Sequence, residues 1–109
     1  MDKDECKNKL IALFNEYEFN RKSIIREYAL SNNEVEKGDI FIDHIGPIEV
    51  TDIVINYNSA EPGCIYSGKK LNKDYTPMKG KYRLAYQSDQ SIIIKKQTKQ
   101  WKKYQLFLL

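Results

Sequence analysis

The sequence predicts an α+β fold, in which one long N-terminal helix is followed by a small, strongly bent antiparallel β-sheet or barrel. Two patterns support this prediction. Apolar residues recur at three- and four-residue steps in the first third of the chain, and after Gly38 they alternate with polar residues. Since 109 residues leave no room for a second core, we expect a single domain over residues 1–109.

The predicted helix covers residues 3–32, with Asp2 or Asp4 as its cap and Asn32-Asn33 as a left-handed end. Its apolar stripe consists of Leu10, Leu13, Phe14, Tyr17, Ile24, Ile25 and Tyr28. A helix of this length is unusually long for so small a domain. The stripe therefore either faces the core or forms a seam with a second copy or another partner. The candidate dimer seam consists of Leu10, Leu13, Phe14, Tyr17, Ile24 and Tyr28.

The predicted β module covers residues 38–96. We expect its strands at residues 39–43, 48–57, 64–67, 81–86 and 91–95, with a loop over residues 72–80. In the second strand the apolar parity shifts between Val50 and Ile53, which is typical of a bulge or sharp bend. The fourth strand should carry on one face the side chains of Tyr82, Leu84 and Tyr86.

Residues 97–109 are predicted to form a C-terminal strand or a docked tail. This segment ends in Leu-Phe-Leu-Leu, an apolar run that we expect to be buried against the domain or a neighbour.

The composition favours a soluble protein, with 41% hydrophobic and 30% charged residues. No apolar run approaches the ~20 residues needed to cross a membrane, and the charged N-terminus does not look like a signal peptide. Cys6 and Cys64 are too few for a disulfide framework, so we interpret both as free thiols. These features together predict a cytoplasmic protein that does not bind membranes.

Charge is distributed unevenly along the chain. Residues 1–61 carry 7 Lys/Arg against 13 Asp/Glu, whereas residues 62–109 carry 11 against 2, and the balances of −6 and +9 sum to the net +3. The two halves could pair within one fold or between subunits. Alternatively, the second half forms a basic face for phosphates or for an acidic protein surface.

Aromatic residues are interleaved with the cations of the second half, among them Tyr66, Tyr75, Tyr82 and Tyr86. Lysines neutralise phosphates, and an exposed ring stacks an unpaired base at ~1–3 kcal/mol. Tyrosines at alternating strand positions could equally fill a core, with the lysines serving solubility. The predicted contacts with nucleic acid or a partner are Lys69, Lys70, Lys73, Tyr75, Lys79, Lys81, Arg83, Lys95, Lys96, Lys99, Trp101, Lys102 and Lys103.

The sequence predicts no catalytic residue, no metal site and no cofactor. His44 is the only histidine, and it has no other ligand at metal-site spacing. Asp39, Asp43, Glu49 and Asp52 could in principle hold a cation or transfer protons, but in so acidic a segment we interpret them as solvated charges. There is no Gly-rich phosphate loop and no nucleophile triad.

Short motifs are spread from residue 28 to residue 87, namely Tyr28-Ala29, Asn32-Asn33, Gly38-Asp39-Ile40, Asp43-His44-Ile45-Gly46, Ile48, Val50, Ile65-Tyr66-Ser67-Gly68, Leu71 and Tyr86-Gln87. In these motifs the chain resembles small uncharacterised proteins of Bacteroidetes genomes and phages. In outline, the stretch from Gly38 to Val50 is also similar to the opening hairpin of SH3-like barrels of the KOW type. The similarity to SH3-like barrels implies a barrel of a type that binds RNA or belongs to nucleoprotein complexes. The resemblance to phage proteins implies an accessory protein, such as a CRISPR inhibitor, in a host cytoplasm.

The leading hypothesis is therefore a non-catalytic binding protein, encoded by a phage or mobile element. It would engage RNA or an RNA-guided host complex through its basic second half, as an inhibitor of CRISPR defence. The alternative is a protein-only adaptor that forms a homodimer through the N-terminal helix and binds an acidic protein partner. An enzyme using Asp43 and His44 ranks last.

Overall fold

A computed structural model describes residues 1–95 of the chain. It contains one helix and five strands, namely α1 (Lys3–Ser31), β1 (Ile40–Ile42), β2 (Pro47–Asn56), β3 (Gly63–Leu71), β4 (Pro77–Tyr86) and β5 (Ile92–Ile94). The α+β prediction is confirmed. The predicted C-terminal strand or tail, residues 97–109, lies outside the described residues.

Helix α1 begins at the predicted cap, because the Asp2 carboxylate accepts a hydrogen bond from the Glu5 N–H at 2.7 Å. Its end differs from the prediction. Asn32 has φ −101° and is not left-handed. Instead, its side-chain amide donates to the Tyr28 carbonyl at 2.9 Å and so satisfies one of the free carbonyls of the last turn.

Most of α1 projects away from the sheet. The described chain measures 76 × 28 × 22 Å, and Ile25 and Ala29 are the buried residues of the helix. All six residues of the candidate seam are 52–68% exposed. The interpretation that these six side chains face a core within the described chain is therefore wrong.

The five strands form one antiparallel sheet with the order β4-β3-β2-β1-β5. The register of β2 against β3 shifts between Val50 and Asp52, where the parity change predicted a bulge. Strand β4 begins at Pro77, which lies within the predicted loop, and continues through Gly80. The positive φ of 71° at Gly80 accommodates an irregularity in the strand. The alternation of apolar and polar residues does not show this irregularity.

The sheet is strongly curved but not closed. Arg83 on β4 contacts Asp43, which follows β1, although three strand spacings would place β4 and β1 about 14 Å apart in a flat sheet. Edge strands β4 and β5 do not pair, so the described residues form a bent sheet and not the closed barrel offered as its alternative.

The core lies between the concave face of the sheet and the C-terminal end of α1. Phe41 and Tyr66 pack with ring centroids 5.0 Å apart, together with buried Ala29 and Ala85. The Tyr66 hydroxyl donates to Asn33 at 2.8 Å, and burial raises its pKa. This hydrogen bond fixes the segment that connects the helix to the sheet.

Strands β2 and β3 approach closely at Gly68. A Cβ at this position would lie 2.5 Å from the backbone oxygen of Glu49 and 3.1 Å from Cδ1 of Ile48. The absence of a side chain at residue 68 is therefore a packing requirement of the curved sheet.

We predict that Gly68→Ala lowers the free energy of unfolding by about 1–3 kcal/mol, because the added methyl group must displace backbone. Urea unfolding followed by circular dichroism measures this change. The matched control is Ser67→Ala in the same strand, for which we expect a much smaller effect. Equal unfolding midpoints for the two variants would contradict this explanation of Gly68.

Candidate functional site

The β3–β4 hairpin contains most of the described residues predicted to bind a partner. We call residues 69–83 the basic hairpin, since they include Lys69, Lys70, Lys73, Lys79, Lys81 and Arg83. Its single acidic residue, Asp74, accepts hydrogen bonds from the Thr76 N–H at 3.2 Å and the Thr76 hydroxyl at 2.6 Å. These bonds lower the pKa of Asp74 and hold the turn in which Tyr75 has a positive φ of 67°.

A cleft of about 490 Å³ lies between the β1–β2 turn and the basic hairpin. It is lined by Ile45, Gly46, Pro47, Lys70, Leu71, Asn72, Lys73, Met78 and Arg83. Three of these residues are cations and none is acidic. The cleft therefore presents a positive potential to solvent and favours an anionic group.

Arg83 forms part of the cleft wall, but its charge is balanced by Asp43. The two guanidinium nitrogens donate to the two carboxylate oxygens of Asp43 at 2.6 and 3.0 Å. The side chains of Arg83 and Asp43 are 11% and 1% exposed, and Arg83 also donates to the Gly46 carbonyl. Arg83 was predicted to contact a ligand, whereas its observed position gives it a structural role in maintaining the curvature of the sheet.

The environment of Asp43 stabilises its charged form. Burial alone would raise its pKa, but hydrogen bonds from Arg83 and from the N–H groups of Ile45 and Gly46, with the guanidinium charge, bring it below the ordinary value. The β1–β2 turn, the sheet curvature and the cleft wall therefore depend on one carboxylate.

Lys95 is also part of an internal ion pair. Its ammonium group donates to the Asp39 carboxylate at 2.6 Å and to the Glu34 carbonyl. The Asp39 side chain is 1% exposed, and its second oxygen has no hydrogen-bond partner among the described residues. Lys95 was predicted to contact a partner, whereas in the structure it joins the end of β5 to the segment before β1.

Other cations of the basic hairpin are available to a ligand. No acidic side chain within residues 1–95 forms an ion pair with Lys70, Lys73, Lys79 or Lys81. Lys73, Lys79 and Lys81 are exposed, and Lys70 is half-buried at the cleft. The remaining predicted contacts, Lys96, Lys99, Trp101, Lys102 and Lys103, lie outside the described residues.

The outer face of the sheet carries an exposed aromatic surface. Tyr82, Leu84 and Tyr86 are 62%, 53% and 44% exposed, whereas Ala85 on the opposite face is buried. The predicted common face of these three residues is confirmed, but they do not fill a core as the alternative interpretation required. Tyr66, by contrast, is buried in the core.

Cross-strand neighbours extend this surface over three strands. Lys69 lies opposite Tyr82, and Ile65 lies opposite both Tyr86 and Val54. We name Tyr82, Leu84, Tyr86, Ile65 and Val54 the outer-face patch. The alternation of apolar and polar residues that forms this patch was visible in the sequence. The patch is exposed, however, because α1 packs against the other face of the sheet.

Asp43, His44 and Asp89 offer ligand atoms within 4.8 Å of one another. Asp89 was not recognised as a neighbour of His44 from the sequence, because 45 positions separate the two. Both oxygens of Asp43 already accept hydrogen bonds from Arg83, and its Oδ1 accepts two more from backbone N–H groups. A cation would have to compete with the guanidinium for this carboxylate, so we assign no metal to the cluster.

The two cysteines are free thiols in different environments. Cys6 is exposed near the start of α1, while Cys64 is 2% exposed in the core. Burial raises the pKa of the Cys64 thiol, which keeps it protonated and weakly nucleophilic.

Comparisons with protein-family models, with curated proteins and with solved structures found no match to this chain. The described part of the chain contains no helix that is both long enough and apolar enough to span a membrane.

The Arg83–Asp43 pair leads to a prediction about stability. Arg83→Met leaves a buried carboxylate unpaired, so we expect the free energy of unfolding to fall by about 3–5 kcal/mol near neutral pH. The pKa of Asp43 is lowered in the folded protein, so its contribution is present above the unfolded pKa of about 3.9 and is lost as the pH falls through the folded pKa.

The loss caused by Arg83→Met should consequently shrink at about pH 3.5 and below, where the unpaired carboxyl is protonated. Urea unfolding at both pH values measures this difference. Arg26→Met, which removes an exposed helical arginine, is the matched control and should change stability little at either pH. A pH-independent loss for Arg83→Met would contradict the role of Asp43.

Proposed function

We propose that the protein is a non-catalytic binding protein that engages single-stranded RNA, free or within a ribonucleoprotein, through the outer-face patch and the basic hairpin. The observation that carries the proposal is the exposure of Tyr82 and Tyr86 on an open sheet face, with Lys69 opposite Tyr82 on the neighbouring strand. Exposed rings on a sheet and nearby cations are the two elements that bind unpaired bases and their phosphates.

The geometry of β4 suits stacking on separate bases. Tyr82 and Tyr86 are four residues apart on one strand face, which corresponds to about 13 Å along the strand. Leu84 lies between them and offers an apolar contact. Stacking of this kind tolerates different bases, so the proposal predicts little sequence preference.

The cleft lies on the Arg83 side of edge strand β4, so an RNA that crosses this edge from the outer face would bring its backbone to the cleft. Lys70 and Lys73 line it and have no acidic partner in the described chain. Arg83 and Lys95 belong to internal ion pairs, so we do not include them among the RNA contacts. Binding of an RNA-guided host complex by a phage inhibitor, the role implied by the sequence resemblance, would use the same surface.

A second candidate is a protein-only adaptor that dimerises through α1 and binds an acidic protein at the basic hairpin. The exposed apolar stripe of α1 favours it, because such a stripe is typical of a protein–protein contact. The two candidates differ in what the tyrosines do. Stacking on bases requires their rings, whereas attraction of carboxylates requires the lysines alone.

The first test concerns the lysines. Fluorescence anisotropy with a labelled single-stranded RNA should show affinity that falls steeply with salt, because binding releases counterions. Lys70→Gln combined with Lys73→Gln should weaken binding and reduce the slope of log affinity against log salt by about 1.4, at about 0.7 per lost phosphate contact.

The control for the lysine test is Lys7→Gln with Lys9→Gln, which removes two exposed lysines from the projecting part of α1. We expect that variant to keep the slope of the unmodified protein. Absence of RNA binding at low salt would overturn the proposal for free RNA, and an unchanged slope in the cleft variant would exclude the cleft.

The second test concerns the rings. Tyr82→Ala combined with Tyr86→Ala should lower RNA affinity by about 1–3 kcal/mol per ring while leaving the salt slope nearly unchanged. Phe19→Ala, which removes a ring that is 72% exposed on α1, should have no effect. RNA affinity that survives loss of both tyrosines, together with comparable binding of polyglutamate, would favour the adaptor.

A further inference from the structure

The six residues of the candidate seam form an apolar stripe that no described part of the chain covers. We call Leu10, Leu13, Phe14, Tyr17, Ile24 and Tyr28 the helix stripe; their exposed fractions range from 52 to 68%. Isolated helices are marginal in water, and most helical stability in proteins comes from packing of an apolar face. The projecting part of α1 therefore needs a partner that covers this face.

We infer that the helix stripe packs against the helix stripe of a second copy of this chain, with the two helices antiparallel. The inference does not depend on whether the basic hairpin binds RNA or protein. It assigns an occupant, an orientation and a register to a surface that the sequence offered only as one of two alternatives.

The first argument is the spacing along α1. Leu10, Phe14, Tyr17, Arg21, Ile24 and Tyr28 follow one another at steps of 4, 3, 4, 3 and 4 residues. This is the repeat that keeps one seam facing a second helix. Leu13 lies at its edge, and the repeat spans about 27 Å of helix.

The second argument is the symmetry of this spacing, which is the same when read in either direction from residue 19. In an antiparallel pair with its two-fold axis at that level, Leu10 of one copy faces Tyr28 of the other. In the same way Phe14 faces Ile24. Each small or branched side chain thus meets an aromatic ring, which suits close interdigitation across the seam.

Arg21 decides the orientation. A parallel pair in register would bring the two Arg21 side chains together in an apolar seam, and like charges in such a place are costly. In the antiparallel register Arg21 faces Tyr17, whose ring can accept a cation. Arg21 is also held by Glu18 at 3.1 Å and by the Tyr57 carbonyl of its own chain.

The sheet leaves the helix stripe accessible. Ile25 and Ala29, which contact the sheet, point about a quarter of a turn around the helix from Leu10 and Tyr28. A second helix can therefore lie along the six residues of the stripe, although the β2–β3 turn approaches α1 between them, where Arg21 donates to the Tyr57 carbonyl and the Ser59 hydroxyl.

The area is sufficient for a specific dimer. About 100 Å² of exposed surface on each of the six side chains gives about 600 Å² per chain and about 1,200 Å² for the pair. That total is at the lower limit for stable, specific interfaces. We accordingly expect a dimer that dissociates on dilution.

Sedimentation equilibrium of the full chain tests the inference over a range of concentrations. The expected result is a mass of twice 12.8 kDa at high concentration, decreasing on dilution. Phe14→Asp should give a monomer at every concentration while keeping the stability of the sheet. Phe19→Asp makes the same change at a 72% exposed position on the opposite face of α1 and should remain dimeric.

A monomer at all concentrations for the unmodified protein, or a dimer for Phe14→Asp, would overturn the inference. Truncation after Lys95 tests whether residues 96–109, and not a second copy, cover the helix stripe. If the full chain is monomeric and the truncated chain dimerises, residues 96–109 cover the helix stripe and the second copy does not.

Cross-linking tests the orientation in a background of Cys6→Ser, which leaves the buried Cys64 as the remaining thiol. Leu10→Cys and Tyr28→Cys chains should be joined to each other by a short bismaleimide when mixed. Neither should be joined efficiently to itself. Efficient self-cross-linking of the Leu10→Cys chain would indicate a parallel pair and overturn the antiparallel register.

Discussion

The bidentate ion pair between Arg83 and Asp43 is the interaction on which the shape of the β module depends. It joins β4 to the turn after β1 across the concave face of the sheet, and both side chains are almost fully buried. Removal of one partner alone would leave a buried charge without its counter-charge. This destabilises a fold far more than replacement of both partners by apolar residues. The pair therefore sets the curvature of the sheet, the position of the basic hairpin and one wall of the cleft together.

The same pair changes the interpretation of the uneven charge distribution. Two of the cations from the basic half, Arg83 and Lys95, neutralise two buried carboxylates from the acidic half, Asp43 and Asp39. Pairing between the halves therefore accounts for part of the polarity. The lysines of the basic hairpin have no such partners in the described chain, and they give this end of the module its positive potential.

The second constraint is the mismatch between the length of α1 and the size of the sheet. A helix of 29 residues is about 43 Å long, whereas the sheet buries Ile25 and Ala29 near its end. Two exposed apolar surfaces result, the helix stripe and the outer-face patch, and they lie on different elements.

Local periodicity by itself determined the helix, its cap, the five strands, the bulge after Val50 and the common face of Tyr82, Leu84 and Tyr86. These features depend on neighbours within a few positions, so the pattern of side chains is sufficient to predict them. Only the tertiary structure decided which faces are covered. Arg83 and Asp43 are 40 positions apart, Lys95 and Asp39 are 56 apart, and these contacts follow from the order and curvature of the strands. The sequence could not distinguish a paired cation from a free one or a core stripe from an exposed one, because that difference depends on packing between distant segments.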